Sequence, residues 1–404
     1  MRRTIEEINV NLAYRWFLGL GFSQKVPHFS TFGKNYTRRF KDTDLFEQIF
    51  ERILEQIILA DFVDTSSLFI DSTPVKAHAN PNRRIKLEIE KETKSYEKKL
   101  QEEINAKREE DGKDPFDYDD GDETTFSTRS PVDPEAGMFI KGEHRRMFAY
   151  NLQVACDKRG WILDYSVCAG NEHDSRSIHE LLDKIERYKS SYYVLDAGYK
   201  TSLLARILEE IQVQGVLPYT RPKGLKKEGY RKREFRYIKE DDLYLCPQGE
   251  TLSYKRIDKN GNLIYQASPS KCRKCKDRDK CISEKSKFRI ITRHIYEDSL
   301  DRANEFRLTE QGKELYAKRK ETIERVFAEA KENHGLRYTR QVGKKLMELK
   351  AALSFTCINM KRYARLMDKR YELGPYSRCL LSFLHKITKS KEQSNQFGLI
   401  ALYY

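Results

Sequence analysis

The sequence predicts an α/β protein, a mixed sheet flanked by helices, and three observations predict it. A β-hairpin signature lies near the middle of the chain, strand and helix patterns alternate after it, and the regions before and beyond read as helical. The 404 residues exceed the roughly 250–300 at which a single core stops growing, so insertions or a second module should accompany the sheet. Charged residues make up 34% and apolar ones 39%; no apolar run reaches the roughly 18–20 residues of a membrane span, and the N-terminus carries no signal stretch. A soluble cytoplasmic protein without a membrane partner is the expectation. Lys and Arg (76) outnumber Asp and Glu (62), and the net +14 favours a polyanionic partner, nucleic acid first.

Residues 5–60 read as helical, with Leu45, Phe46, Ile49, Phe50, Ile53, Leu54 and Ile57 at core-facing spacing and Asp44 with Glu47 as a capping-box start. Ahead of that helix, Ser30 and Thr31 offer an N-cap to a short aromatic-laced helix carrying Lys34, Arg38 and Arg39, a face for DNA or simply for water. TSSLFIDSTPVKAHA then reads as a strand delivering Asp71 near its end, before Pro74. Residues 85–108 read as a charged helix with Ile85, Ile89, Tyr96, Leu100 and Ile104 on one stripe, followed by an acidic, turn-rich linker; together they make 82–140 a charged insertion. MFAYNLQVACD and WILDYSVCAG form the hairpin, turning at Asp157-Lys158-Arg159-Gly160. A helix over 174–189, the strand SYYVLDAGY, a helix over 201–212 and the strand VQGVLPY complete the alternation. From 221 a basic stretch breaks it: Arg221, Lys223, Lys226, Lys227, Arg231, Lys232, Arg233 and Arg236 interleave with Tyr230, Phe235 and Tyr237. Beyond 300 the chain is helical, with Leu346, Leu349, Leu353, Cys357, Met360 and Ala364 at near-heptad, buried spacing.

Asp71 and Asp196 each follow an apolar strand and precede small or turn-forming residues, which exposes a carboxylate at a sheet's edge; taken singly, each also reads as a turn or cap residue. Glu324 lies in ETIERVFAEAKENHG, with Lys331 seven residues on and so on the same helix face. Such a trio suits phosphodiester chemistry. Two divalent ions about 3.5–4 Å apart activate the attacking oxygen and stabilise the leaving one, and Mg²⁺ is held by a few hard carboxylate oxygens, waters and substrate phosphates.

FIDSTPVKAHAN, YYVLDAGY and ERVFAEAKENHGLRYTR, in that order, resemble the three catalytic blocks of DDE transposases from bacterial insertion sequences. LAYRWFLGLG and PHFSTFGKNYTRRF resemble the helical N-terminal domain of the same group, so that the resemblance extends over most of residues 2–365. It implies an RNase H-like catalytic domain with a segment inserted between the second Asp and the Glu, and DNA strand cleavage and transfer at element ends. Asp71, Asp196 and Glu324, 125 and 128 positions apart, become the triad for Mg²⁺ or Mn²⁺. Tyr316, Arg319 and Lys331 match the Tyr-x2-Arg-x3-Glu-x6-Lys signature, except that four residues separate Arg319 from Glu324; on a continuous helix this turns Arg319 away from Glu324's face. GNEHDSRSI resembles a further block, which makes His173 and Asp174 supporting residues, unless Asp174 or Ser175 merely caps the next helix.

The implied partners are element-end and target DNA in the bacterial cytoplasm, at the nucleoid, engaged by a homodimer. The implied organisation is a helical DNA-binding domain over 1–62 that starts inside the family's N-terminal domain, a catalytic domain over 63–220 and 291–370, a basic Cys-containing module over 221–290, and a tail over 371–404. Two alternatives follow from the shortened start and the triad: an inactive DNA-binding repressor or competitor, and a plain metal-dependent nuclease.

Cys246, Cys272, Cys275 and Cys281 offer four thiolates for a structural Zn²⁺ in a module that reads as lacking an apolar core; an iron–sulfur cluster or free thiols are the alternatives. Cys156, Cys168, Cys357 and Cys379 sit in apolar patterns and are expected in cores. Arg273 and Lys274, among the cations crowding the cluster, join Arg231–Arg236 as expected phosphate contacts, with the interleaved aromatic rings free to stack on unpaired bases.

Overall fold

The computed structural model describes residues 2–40, 43–90, 95–118, 124–141, 145–218 and 229–370. The basic residues Arg221, Lys223, Lys226 and Lys227, together with Cys379 and the 371–404 tail, lie outside the described residues. The chain divides into two units, one built from residues 1–63, 332–336 and 348 onward, the other from 64–331 and 337–347.

The first unit is helical, but the run expected over 5–60 is broken into helices Arg2–Val10, Leu12–Phe17, Phe29–Asn35 and Leu45–Leu59, with a π-helical turn over Tyr36–Phe40. Gly19 at positive φ and Pro27 interrupt it. Buried Arg15 closes the intervening loop by donating to the carbonyls of Gly21, Phe22 and Gln24. Ser30 and Thr31 fall inside a helix rather than capping it; the acceptor for the Ser30 amide is His28 Nδ1, at 3.3 Å. Asp44 stands at the N-cap of Leu45–Leu59, yet its carboxylate accepts from the Gln48 side chain (2.8 Å), so the expected capping box does not form. That helix buries Phe50, Ile53, Leu54 and Ile57, part of the stripe its periodicity marks. The helix Lys344–Arg370 starts in the second unit and continues in the first. Its buried face is Met347, Ala351, Ala352, Phe355 and Ile358, whereas Cys357 is exposed: small residues, not only the large aliphatic ones, line the packed side.

Among the described residues of the second unit the larger sheet holds eight strands: β1 Ser67–Lys76, β2 Ile85–Glu90, β3 Thr124–Arg129, β4 Gly137–Lys141, β5 Arg145–Asp157, β6 Ile162–Ala169, β7 Tyr192–Val194 and β8 Gln214–Val216. Their order is β2-β3-β4-β5-β1-β7-β8, with β6 also paired to β5. The β5–β6 hairpin turns through Gly160 at positive φ. Central β1 is antiparallel to β5 over Leu68–Lys76 and parallel to β7 over Ser67–Phe69. Leu68, Phe69 and Ile70 are consecutive and fully buried, as befits a strand covered on both faces. Contrary to expectation, β1 does not stop near Asp71. It continues through Pro74 to Lys76, where β7 no longer flanks it and a residue without an N–H is tolerated.

Two readings within 82–140 are corrected. Ile85, Leu87 and Ile89 alternate with polar residues, which is a strand's period of two, and they form β2; the helix begins only at Ser95, ends at Glu110 and buries Ile104. The supposed linker contributes β3, which pairs with β2 from Ile85↔Arg129 to Glu90↔Thr124.

The basic module is a five-stranded antiparallel sheet in chain order: β9 Arg236–Ile238, β10 Leu243–Leu245, β11 Thr251–Ile257, β12 Asn262–Ala267 and β13 Ile290–His294. It has its own core, formed by Phe235, Tyr244, Leu252, Tyr265, Ala267 and Ile291, so the expected lack of one is wrong. Tyr230 and Tyr237 pack against this core, with hydroxyls donating to Asp277 (2.7 Å) and Asp242 (2.8 Å); these rings face the core, not unpaired bases. No described helix is long and apolar enough to cross a membrane.

Ile70→Ala in the centre of β1 should destabilise the protein by about 2–5 kcal/mol, and Phe126→Ala, at a position 71% exposed, by less than about 0.5 kcal/mol. Denaturant unfolding of the two variants checks the contrast.

Candidate active site

The parallel register brings the two aspartates together. Ser67, Leu68 and Phe69 pair with Tyr192, Tyr193 and Val194, a constant offset of 125 positions. The same offset separates Asp71 from Asp196, which lies two residues past the end of β7, so the register carries the two aspartates toward the same part of the sheet. Past Val194 the chain leaves the sheet through a 3₁₀ turn over Ala197–Tyr199, and this opens the flank of Asp71. Asp71 stays largely buried, its side chain 18% exposed, and Asp196 is 46% exposed.

Arg319 joins them. Its Nη2 lies 2.5 Å from Asp71 Oδ2 and its Nη1 3.2 Å from Asp196 Oδ1, and the residue is only 6% exposed. No continuous helix links Arg319 to Glu324, so the extra residue between them does not set the direction of this side chain as a helix would. The helix Glu310–Ala317 gives way to a 3₁₀ turn over Lys318–Glu321, then to Thr322 at φ −108° and ψ −93°, and a new helix runs from Ile323 to Asn333. Tyr316 lies nearby, its hydroxyl pKa raised by burial and pulled back by Arg319, with the Arg307 guanidinium 4.5 Å from its ring centre.

Burial pushes the Asp71 carboxyl up to about 6; Arg319 opposes the shift, while the negative charges of Asp196 and Asp174 add to it. Asp174 accepts from Ser72 Oγ and from Asn151 Nδ2, both at 2.7 Å, and thereby ties β1 to β5 beside Asp71. The helix cap is neither Asp174 nor Ser175 but His173, whose side chain accepts from the Ser175 amide. Fully buried Gln153 donates to Ser177 Oγ and to the Asp174 carbonyl (3.4 Å). Buried Tyr199 has its hydroxyl pKa raised well above the ordinary value by desolvation, with Asp174 and Asp71 adding to the effect. Asn151, Gln153 and Gly198 were missed by sequence reasoning. The signal was there: two amides two residues apart in an otherwise apolar strand.

Glu324 is exposed in the first turn of its helix. Lys331, two turns further along the same face, lines an open groove of about 960 Å³ with Lys76, His78, Arg83, Arg337 and Tyr338, and no lining residue is acidic. The groove forms where the end of β1 pairs with residues 337–339: Lys76 N donates to Arg337 O (3.2 Å) and Thr339 N to Lys76 O (2.8 Å). Lys34, Arg38, Arg39, Arg233, Arg236, Arg273 and Lys274 are exposed, Arg231 is half-buried, and Lys232 is paired to Glu297 at 2.7 Å.

Among the described residues no group of three or more His, Cys, Asp or Glu side chains is arranged to hold a metal ion. Cys246, Cys272, Cys275 and Cys281 are free, and Cys246, Cys272 and Cys281 pack against the core of the smaller sheet. Burial pushes the Cys281 thiol up to about 11.

Two family models match the chain: "Transposase DDE domain" over residues 245–364 and "Transposase domain (DUF772)" over residues 1–38. Both models describe transposases, and together the matches support a DDE transposase of insertion sequences. The DDE-domain match takes in Tyr316, Arg319, Glu324 and Lys331, and Asp71 and Asp196 lie upstream of it. No curated protein and no solved structure matches the chain.

A Cβ on Gly198 would fall 2.6 Å from Asp174 Oδ2. Gly198→Ala should therefore displace a carboxylate held by two hydrogen bonds, at a cost of about 1–3 kcal/mol. In an Asp174→Ala background the same change should cost little, and equal costs in both backgrounds, by denaturant unfolding, would refute the contact.

Proposed function

We propose that this transposase has an RNase H-like catalytic core and uses Mg²⁺ or Mn²⁺ to cut DNA at the ends of an insertion sequence and to join the freed 3′-hydroxyl to target DNA. The observation that carries the reading is the meeting of two carboxylates, one from β1 and one from the turn that follows β7, on one cationic group. The donor chemistry fits the metal: hard oxygens suit Mg²⁺, and a guanidinium stands between them as a cation. Asp71 and Asp196 would hold the ions, with Glu324 as the carboxylate from the helix. When bound, such ions supply Lewis-acid stabilisation of the attacking and leaving oxygens in an in-line displacement at phosphorus.

The chain's own residues do the rest. Ser72, Asn151 and Asp174 hold β1 and β5 together beside Asp71, so its carboxylate needs little reorganisation when substrate arrives. Lys331, Lys76, Arg83 and Arg337 make the groove a track for a phosphate backbone. The exposed cations Lys34, Arg38, Arg39, Arg233, Arg236, Arg273 and Lys274, with half-buried Arg231, would make further salt-sensitive phosphate contacts. Two element ends must be brought together, a task we assign to a homodimer.

Asp71→Asn, Asp196→Asn and Glu324→Gln should each lower Mg²⁺-dependent cleavage of element-end DNA by at least about 10²-fold while a mobility shift persists. Near-normal cleavage by any one of them would remove that residue from the triad, and cleavage without joining by the wild type would make the protein a nuclease.

A further inference from the structure

We infer that Arg319 is the resident counter-ion of the Asp71–Asp196 pair and competes with the divalent metal for it, so that the DNA-free protein takes up metal only when Arg319 withdraws. The inference rests on the metal reading proposed above and adds a control on when metal binds.

The geometry is that of one seat and two claimants. Arg319 places one terminal nitrogen on Asp71 Oδ2 and the other on Asp196 Oδ1, the two oxygens that face a shared cation. A dication on those oxygens would stand within a few ångströms of the guanidinium, and two like charges in so poorly solvated a place repel strongly. Leaving the seat empty is also unfavourable, because two carboxylates would face each other, one of them largely buried, without compensation. One cation at a time is the stable arrangement.

The local backbone suits an exchange. Arg319 is carried by a four-residue 3₁₀ turn between two helices, not by a helix interior, and Thr322 beyond it departs from helical dihedrals. The side chain can therefore be withdrawn by adjusting a short turn, without unwinding the helix that carries Glu324. Arg319 thus acts on the reaction as a positioning residue: it keeps the carboxylates facing one point before metal arrives and weakens metal binding while it does so.

Calorimetric titration of the full chain with Mn²⁺, without DNA, tests this on the wild type, Arg319→Gln, Arg319→Lys and Asp71→Asn. If the guanidinium occupies the pair about nine-tenths of the time, Arg319→Gln should bind Mn²⁺ roughly tenfold more tightly than wild type. Arg319→Lys, a point charge unable to span both carboxylates, should fall between them, and Asp71→Asn should bind weakly. Melting gives a second readout: metal-free Arg319→Gln should melt below wild type yet gain more on saturation with Mn²⁺. A merely structural arginine predicts the reverse, weaker binding once it is lost. Equal or weaker Mn²⁺ binding by Arg319→Gln, alongside Asp71-dependent binding in the wild type, would overturn the competition and leave the metal reading standing. Should Arg319→Gln fail to fold, Arg319→Lys decides, tighter binding supporting the competition and equal or weaker binding refuting it. Mn²⁺ binding that ignores Asp71 in every variant would overturn both.

Discussion

The register between β1 and β7 is the constraint from which the site follows. Parallel strands keep a fixed sequence offset along their length, so three paired residues suffice to place Asp71 beside Asp196 although 125 positions separate them. A slip of one residue would turn one carboxylate to the opposite face of the sheet and leave Arg319 with a single partner. The fully buried residues Leu68, Phe69 and Ile70 make such a slip costly, since each would have to pack into close-packed space shaped for its neighbour. The hydrophobic run in β1 thus stabilises the sheet and, in the same residues, sets the position of the charge beyond it.

That placement puts a carboxyl where the fold resists its ionisation, and the surroundings answer with polar contacts. Arg319 supplies the compensating charge, and Ser72 and Asn151 satisfy the neighbouring Asp174. In a low-dielectric setting each of these interactions is stronger than in water, and each unmade one is more costly, so the arrangement is held as a unit. Gly198 belongs to it by having no side chain: the turn after Asp196 passes too close to Asp174 for a Cβ. The smaller sheet is held differently, by an aromatic core of its own, against which Cys246, Cys272 and Cys281 pack.

The parts of this structure that were legible in the sequence are those with a strong single period or a composition contrast. The apolar run before Asp71, the alternation in MFAYNLQVACD with its Gly160 turn, and the stripe of Phe50, Ile53, Leu54 and Ile57 reappear as β1, the β5–β6 hairpin and a core-facing helix. High charge hid the rest. In Ile85–Glu90 a period of two was masked by a helix-like density of Lys and Glu, and an acidic neighbourhood concealed β3. The direction of Arg319 is not legible for another reason: residue spacing converts to direction only along an unbroken helix, and nothing local in KRKET announces the break at Thr322. The common partner of Asp71 and Asp196 is not legible at all, because a contact between positions 71, 196 and 319 is a property of the assembled sheet.

The most direct test of the central claim is a double-mutant cycle on folding stability between Asp71→Asn and Asp196→Asn, repeated in an Arg319→Gln background. Two carboxylates on one guanidinium predict a coupling of about 0.5–3 kcal/mol that changes when Arg319 is replaced. Additivity within about 0.3–0.5 kcal/mol in both backgrounds would mean that the side chains do not share a partner, and would contradict the account.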